Sequence, residues 1–100
     1  MAVAYKMKFP GATLEQYDKV MELMGLDGGD MQPDGVIFHW AAQTEDGLIV
    51  VDVWESDAKF EKFAKEQIRP YTEQVGITDE PKMTRFEVHN MLGVPTAATA

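Results

Sequence analysis

Residues 36–54 read VIFHWAAQTEDGLIVVDVW, and this stretch decides the fold. Residues 36–44 and 48–54 are rich in β-branched and aromatic side chains, which favours two strands. The Glu-Asp-Gly sequence between them is typical of a tight hairpin, with Gly47 where φ can become positive. We therefore expect strands two and three to pair antiparallel.

The segment before the hairpin predicts a strand and a helix. Residues 3–9 alternate apolar and less apolar side chains and stop at a Pro-Gly turn, which indicates strand one. Thr13 lies three residues before Gln16, the spacing of a capping box, and apolar residues then recur at helical intervals up to a stop at Gly25.

The segment after the hairpin predicts a helix followed by a strand. Ser56 is a candidate N-cap, and residues 60–68 place apolar side chains on one helical stripe. Pro70 disfavours a helical Arg69 and removes an amide donor, so helix two is expected to end or kink there. Residues 83–91 alternate again and predict strand four.

The order β-α-β-β-α-β predicts a ferredoxin-like α+β fold, with a four-stranded antiparallel sheet, strands one and three central and both helices on one face. We expect a single domain over residues 1–92 and a flexible C-terminal tail over 93–100. The glycine- and aspartate-rich loop 25–35 is a candidate lid. Neither side of the hairpin is reliably polar, so the uncovered sheet face is expected to form a homodimer.

Composition excludes several classes of partner. The chain has 100 residues with 9 Lys+Arg against 17 Asp+Glu, a formal charge of −8, which repels nucleic acid and anionic membrane surfaces. It has no Cys, no signal-peptide pattern and no apolar run long enough to span a bilayer, so a cytoplasmic location is expected. The spacing of His and acidic residues supports no metal site, and no glycine motif indicates a nucleotide cofactor.

The hairpin also carries the candidate chemistry. With a two-residue turn, odd positions of strand two share a face with even positions of strand three, which groups His39, Asp52 and Trp54. A carboxylate beside His39 would fix its tautomer and raise its basicity, as in a general base with its orienting partner. In the alternative, His39 is an edge-strand residue, Asp52 pairs with a surface Lys, and a three-residue loop separates the two.

Further residues are candidates for contact with an oxyanion or with a substrate. Asn90 could hydrogen-bond a developing oxyanion, or it could satisfy its own loop backbone at the strand end. Aromatic side chains could contact a substrate or simply pack in the core. The candidates for substrate contact are Tyr5, Tyr17, Trp54, Phe63 and Phe86. Seven Met residues suit a soft core or an irregular hydrophobic ligand.

Three runs of sequence, FPGATLEQY at 9–17, VDVWESDAKF at 51–60 and FEVHNML at 86–92, resemble the dimeric α+β barrel superfamily. The resemblance is to its antibiotic biosynthesis monooxygenase-like branch and covers about residues 3–92. It implies a dimer whose two sheets close into a barrel, with a ligand cavity between each sheet and its helices.

The resemblance also implies cofactor-free oxygenation of phenolic or quinol-like aromatics, which become electron-rich on deprotonation. Asp52 lies where relatives often have Glu. Many quinol-oxidising and haem-degrading relatives carry a His on helix two, and this chain has none there, which argues against haem at that position and counts against a quinol substrate.

Three functions therefore stay open. The first is a cofactor-independent monooxygenase-like enzyme acting on a hydrophobic aromatic or polyketide-type molecule, with His39, Asp52 and Asn90 as catalytic residues. The second is an isomerase or cyclase that uses His39 and Asp52 to move protons without O2. The third is a non-catalytic small-molecule-binding or stress-associated module.

Overall fold

The structure, a computed structural model, describes residues 2–29 and 31–93. Its four strands form one antiparallel sheet in the order β2-β3-β1-β4, so the predicted ferredoxin-like α+β architecture is confirmed. Most of the predicted 93–100 tail, from residue 94 on, lies outside the described residues. The elements in chain order are β1 (Val3–Pro10), α1 (Leu14–Met24), β2 (Val36–Thr44), β3 (Gly47–Trp54), α2 (Asp57–Phe63), a π-helical turn (Ala64–Ile68), α3 (Arg69–Gln74) and β4 (Lys82–Glu87).

The core lies on the face of the sheet that the helices cover. Along β1 every second side chain is buried, and Tyr5 and Met7 pair with Asp52 and Val50 of β3. Because side chains alternate between faces, these pairs place one continuous row against the helices. The remaining core members are Val3, Phe9, Ala12, Leu48, Trp54 and Phe60.

The helix boundaries follow the predicted capping residues. Thr13 caps α1, with the reciprocal capping box to Gln16 present, and Gly25 ends the helix with φ 76°. The side chain of Ser56 accepts from the backbone N–H of Lys59 at the start of α2. The three predicted caps are confirmed.

The helix after Ser56 does not end at Arg69 but continues through Pro70 to Gln74. A π-helical turn makes this possible, because the backbone N–H of Arg69 donates to the carbonyl of Ala64, five residues back. The wider turn moves the preceding carbonyls away from the position where the Pro70 ring would meet them in an α-helix.

β4 is shorter than predicted, ending at Glu87 rather than near residue 91. Within residues 2–29 and 31–93, β4 pairs with β1 alone, and Glu87 pairs with Val3, where β1 begins. One further bond runs from the Val88 N–H to the carbonyl of Ala2, at 3.0 Å. Although residues 88–91 alternate in polarity, β1 does not extend far enough to pair with them as a strand.

The two-residue turn between β2 and β3 is confirmed, with Thr44 paired to Gly47. Gly47 has φ 150°, and a Cβ at this position would lie 2.2 Å from the carbonyl oxygen of Phe9. Only glycine fits this close approach. The turn fixes the register that sets His39 opposite Asp52.

None of the helices in the described part of the chain covers the other face of the sheet, which we call the open face. Phe86 of β4 pairs with Ala4, which lies on this face, and β2, at the opposite edge of the sheet, contributes Phe38 and Trp40. The side chains of Phe38, Trp40 and Phe86 are 39%, 43% and 52% exposed. Large aromatic groups therefore face outward on a sheet whose opposite side is the core.

Candidate active site

The site is built around a hydrogen-bonded pair on neighbouring strands. His39 of β2 lies opposite Asp52 of β3, and the His39 Nδ1 is 2.5 Å from the Asp52 Oδ1. The second oxygen of Asp52 accepts from the indole N–H of Trp54 at 3.2 Å. Asp52 is 4% exposed, and each oxygen of this buried carboxylate has a hydrogen-bond partner.

Tyr17 of α1 completes this group. Its hydroxyl is 2.6 Å from the Nε2 of His39, and the two rings lie nearly parallel. A carboxylate only accepts, so the Nδ1 of His39 carries a proton; in a neutral imidazole the Nε2 then accepts from the Tyr17 hydroxyl. Burial raises the pKa of Tyr17, and the nearby carboxylates of Asp52 and Asp18 raise it further. We call Tyr17, His39, Asp52 and Trp54 the inner cluster.

The inner cluster forms the polar wall of a cavity of about 310 Å³ between the sheet and the helices. Four methionines, Met7, Met21, Met24 and Met31, contribute to the remaining wall. Thioether side chains conform to irregular hydrophobic shapes. The loop predicted as a lid also borders the cavity, through Leu26, Met31, Gln32 and Pro33. The arrangement can hold a hydrophobic molecule against a proton-transfer group.

Five of the residues chosen from the sequence meet at this cavity. His39 and Asp52 were expected to act in catalysis, and Tyr17, Trp54 and Phe63 to contact a substrate; all five line the cavity. The rings of Trp54 and Phe63 are in contact, with centroids 5.2 Å apart.

Tyr5 lies apart from this cavity, in what we call the outer cluster of Tyr5, Asp57 and Arg85. The Tyr5 hydroxyl donates to Asp57, and the Arg85 guanidinium donates two bonds of 2.8 Å to the same carboxylate. The Tyr5 ring stacks on Phe60, with centroids 3.8 Å apart. Tyr5 therefore joins β1 to α2 and β4 and does not contact the cavity.

The charges of the outer cluster shift two pKa values in opposite directions. The Arg85 guanidinium and the Tyr5 hydroxyl lower the pKa of Asp57 to about 2. Burial and the Asp57 carboxylate raise the pKa of Tyr5 to about 12. Both shifts favour the hydrogen-bonded ion pair at neutral pH.

Phe86 and Asn90 are not brought to the cavity either. Phe86 lies on the open face, and Asn90 is exposed beyond the end of β4. The prediction for Asn90 depended on strand four reaching residue 91, and β1 offers no partner that far.

The contact that the sequence did not predict is the one between Tyr17 and His39. The helical spacing of Tyr17 in α1 indicated a buried side chain, but not which group its hydroxyl meets.

Two absences hold for the described residues. Within 2–29 and 31–93, no group of three His, Cys, Asp or Glu side chains could hold a metal ion. In the same part of the chain no helix has the length and apolar character needed to cross a membrane.

Solved structures of similar fold are found at low sequence identity. A candidate antibiotic biosynthesis monooxygenase from Chloroflexus aurantiacus has a TM-score of 0.65 at 14% identity, covering 94% of this chain and 99% of that chain. A monooxygenase from the gene ActVA-Orf6 of Streptomyces coelicolor, in complex with nanaomycin D, has a TM-score of 0.58 at 16% identity over 91% and 89% of the two chains.

SnoaB, a cofactor-independent oxygenase from Streptomyces nogalater, has a TM-score of 0.55 at 12% identity and covers 92% of this chain and 95% of its own. No protein-family profile and no curated protein sequence matches the chain. Since all these identities are low, the likeness concerns the backbone. The chain has the ferredoxin-like α+β fold of the antibiotic biosynthesis monooxygenase-like proteins.

Proposed function

We propose that the chain is a cofactor-independent oxygenase that removes a proton from a hydrophobic phenol or hydroquinone. The observation that carries the proposal is the inner cluster, in which hydrogen bonds join the partly buried Tyr17 and His39 to the buried Asp52 beside an apolar cavity. Deprotonation makes such an aromatic electron-rich enough to react with O2 directly. Two oxygenases of the same fold, one of them described as cofactor-independent, support this choice over other reactions.

His39, Asp52 and Trp54 of the inner cluster have distinct parts in this proposal. His39 is the general base, and Asp52 holds its ring and stabilises the imidazolium that forms. Trp54 keeps the second oxygen of Asp52 bonded, so that the carboxylate cannot turn away from His39. Phe63 and the methionines exclude water and contact the aromatic rings of the substrate.

Oxygen uptake is the experiment that tests this function. We expect uptake when the protein is mixed with anthrones and hydroquinones of two or three fused rings, and a loss of about 10²-fold or more in His39→Ala. A matched control is His89→Ala, since His89 is exposed and does not line the cavity. Uptake that is equal in wild type and His39→Ala would exclude His39 as the base.

A second candidate is a proton-transfer isomerase or cyclase. It is favoured by the inner cluster itself, which contains groups that move protons and none that binds O2. An isomerase would exchange a substrate C–H proton with deuterium from the solvent while consuming no oxygen. A ligand-binding protein without catalysis would show neither deuterium exchange nor oxygen uptake. Its affinity for the ligand would be kept in His39→Ala and weakened in Trp54→Ala.

We also propose that the open face is covered by a second copy of the chain. The exposed Phe38, Trp40 and Phe86 form an apolar surface of the kind that oligomers bury. Native mass spectrometry should give a dimer for the wild type and a monomer for Trp40→Glu, with the cavity-lining Met24→Leu as control. A monomeric wild type at micromolar concentration would contradict the dimer.

A cytoplasmic location stays a prediction from the sequence.

A further inference from the structure

Both ring nitrogens of His39 are already occupied in the structure. The Nδ1 lies 2.5 Å from Asp52, and the Nε2 lies 2.6 Å from the Tyr17 hydroxyl. A neutral imidazole has a single acceptor nitrogen, so no lone pair of His39 is free to meet a substrate. A proton can reach His39 only if Tyr17 moves aside or if Tyr17 passes the proton on.

The other polar groups of the cavity are less suited to receive a proton. Asp52 has one oxygen on His39 and the other on Trp54. The hydroxyl of Thr72 donates to the carbonyl of Ile68 at 2.7 Å, within its own helix. Tyr17 is the cavity-lining hydroxyl whose hydrogen bond leads to a base.

We propose that Tyr17 is the catalytic residue that accepts the substrate proton, and that it transfers its own proton to His39 in the same step. The substrate O–H bond breaks as a new O–H bond forms on Tyr17, while the original Tyr17 O–H bond breaks and an N–H bond forms at the Nε2 of His39. The products are a substrate anion, a neutral Tyr17 and a His39 imidazolium beside Asp52. No electrons move in this step, and no co-reactant is needed.

The surroundings of Tyr17 support a coupled step over a stored tyrosinate. Burial and nearby carboxylates raise the pKa of Tyr17, so its hydroxyl is kept protonated. A residue that cannot hold the negative charge must release its proton as it gains another. The resulting imidazolium is stabilised because Asp52 is already in place with its partners.

This proton path deepens the proposed function by defining the substrate class. The substrate must enter with its own O–H proton, as a neutral phenol, hydroquinone or enol, and present that hydroxyl to Tyr17. A quinone, which lacks the proton, would have nothing to transfer. A carboxylate anion would enter an apolar cavity in an acidic protein already charged and deprotonated, which is unfavourable.

The first test needs no ligand. Nitrogen-15 NMR of the imidazoles should show the Nε2 of His39 unprotonated at neutral pH, with a shift that changes in Tyr17→Phe. Tyr71→Phe is the matched control, since Tyr71 is half-buried on α3 and does not line the cavity. A protonated Nε2, or a shift unchanged by Tyr17→Phe, would overturn the proposal.

The second test measures ionisation of bound para-nitrophenol by its absorbance. We expect bound phenolate in wild type and Tyr71→Phe, and a phenolate fraction at least about tenfold lower in both Tyr17→Phe and His39→Ala. The double variant should be no worse than either single variant, because the two residues act in one path. If Tyr17→Phe ionises the phenol as well as wild type or better, Tyr17 merely covers His39 and the proposal is wrong.

Failure of this proposal can be told apart from failure of the proposed function, because neither test uses oxygen. Ionisation that depends on Tyr17, together with no oxygen uptake on any quinol, would exclude the oxygenase and keep the proton path. Uptake that requires His39 but is kept in Tyr17→Phe would exclude the proton path and keep the oxygenase.

Discussion

The inner and outer clusters contain similar groups in contrasting surroundings. In each, a tyrosine hydroxyl belongs to a hydrogen-bonded group built on a carboxylate, Asp52 or Asp57. Asp52 is buried and bonded to an imidazole and an indole, whereas the Asp57 side chain is 42% exposed and bonded to the permanently charged Arg85. The imidazole has a ring nitrogen that can accept a proton, and the guanidinium has no acceptor. The inner cluster can therefore move a proton, and the outer cluster serves to hold elements together.

The largest expected difference between the clusters is in stability. Asp52→Ala leaves the buried indole N–H of Trp54 without an acceptor and removes the partner of the His39 Nδ1, so we expect a loss of about 3 kcal/mol in the free energy of unfolding. Asp57→Ala should cost clearly less, because water can replace the carboxylate at the half-exposed Arg85. Urea denaturation of both variants measures this, and equal losses would show that burial does not separate the clusters.

A change at the hairpin turn should weaken the hydrogen bonds of the inner cluster and leave the outer cluster intact. Gly47→Ala places a methyl group against the Phe9 carbonyl, so we expect a loss of about 2 kcal/mol and a weakened His39–Asp52 hydrogen bond. Gly29→Ala is the control, since Gly29 also has positive φ but no atom within 4 Å of an added Cβ. Urea denaturation and the His39 imidazole NMR signals measure the two effects. An unchanged His39 signal in Gly47→Ala would mean that the turn does not set the register.

The smallest effect is the pH dependence contributed by the outer cluster. The pKa of Asp57 is lowered to about 2 in the folded chain, so its contribution to stability is present above its ordinary pKa near 4 and is lost as the pH falls toward 2. In Asp57→Asn the decline of stability between pH 4 and pH 2 should be shallower than in wild type. Thermal unfolding across this range measures the decline, with the exposed Asp79→Asn as control; equal slopes in all three proteins would contradict the prediction.

The parts of the site that the sequence predicts are those set by short-range geometry. The two-residue turn and the alternation of strands were enough to place His39 and Asp52 on one face. Capping residues fixed the helix starts for the same reason, since each depends on neighbours three residues away.

The parts that the sequence does not predict depend on distances between elements. The contact of Tyr17 with His39 spans 22 positions and depends on how closely α1 packs on the sheet edge. Asn90 was misplaced because the length of β4 is limited by where β1 begins, which its own alternation does not reveal. Pro70 indicates an end or a kink near Arg69, with a second helical piece over residues 70–75; the structure has a π-helical turn before Arg69, and the helix continues to Gln74.

The π-helical turn also means that the helix over residues 57–74 contains one residue more than a regular α-helix would need for the same path. An aligned protein with an uninterrupted helix should therefore show a one-residue gap within 64–68. Deleting one residue there would restore regular α-helical winding along the same path. Inserting one more residue would instead rotate everything that follows by about 100° around the helix axis. Thr72 would then leave the cavity wall, so an insertion at this turn is expected to alter the shape of the cavity before it alters the fold.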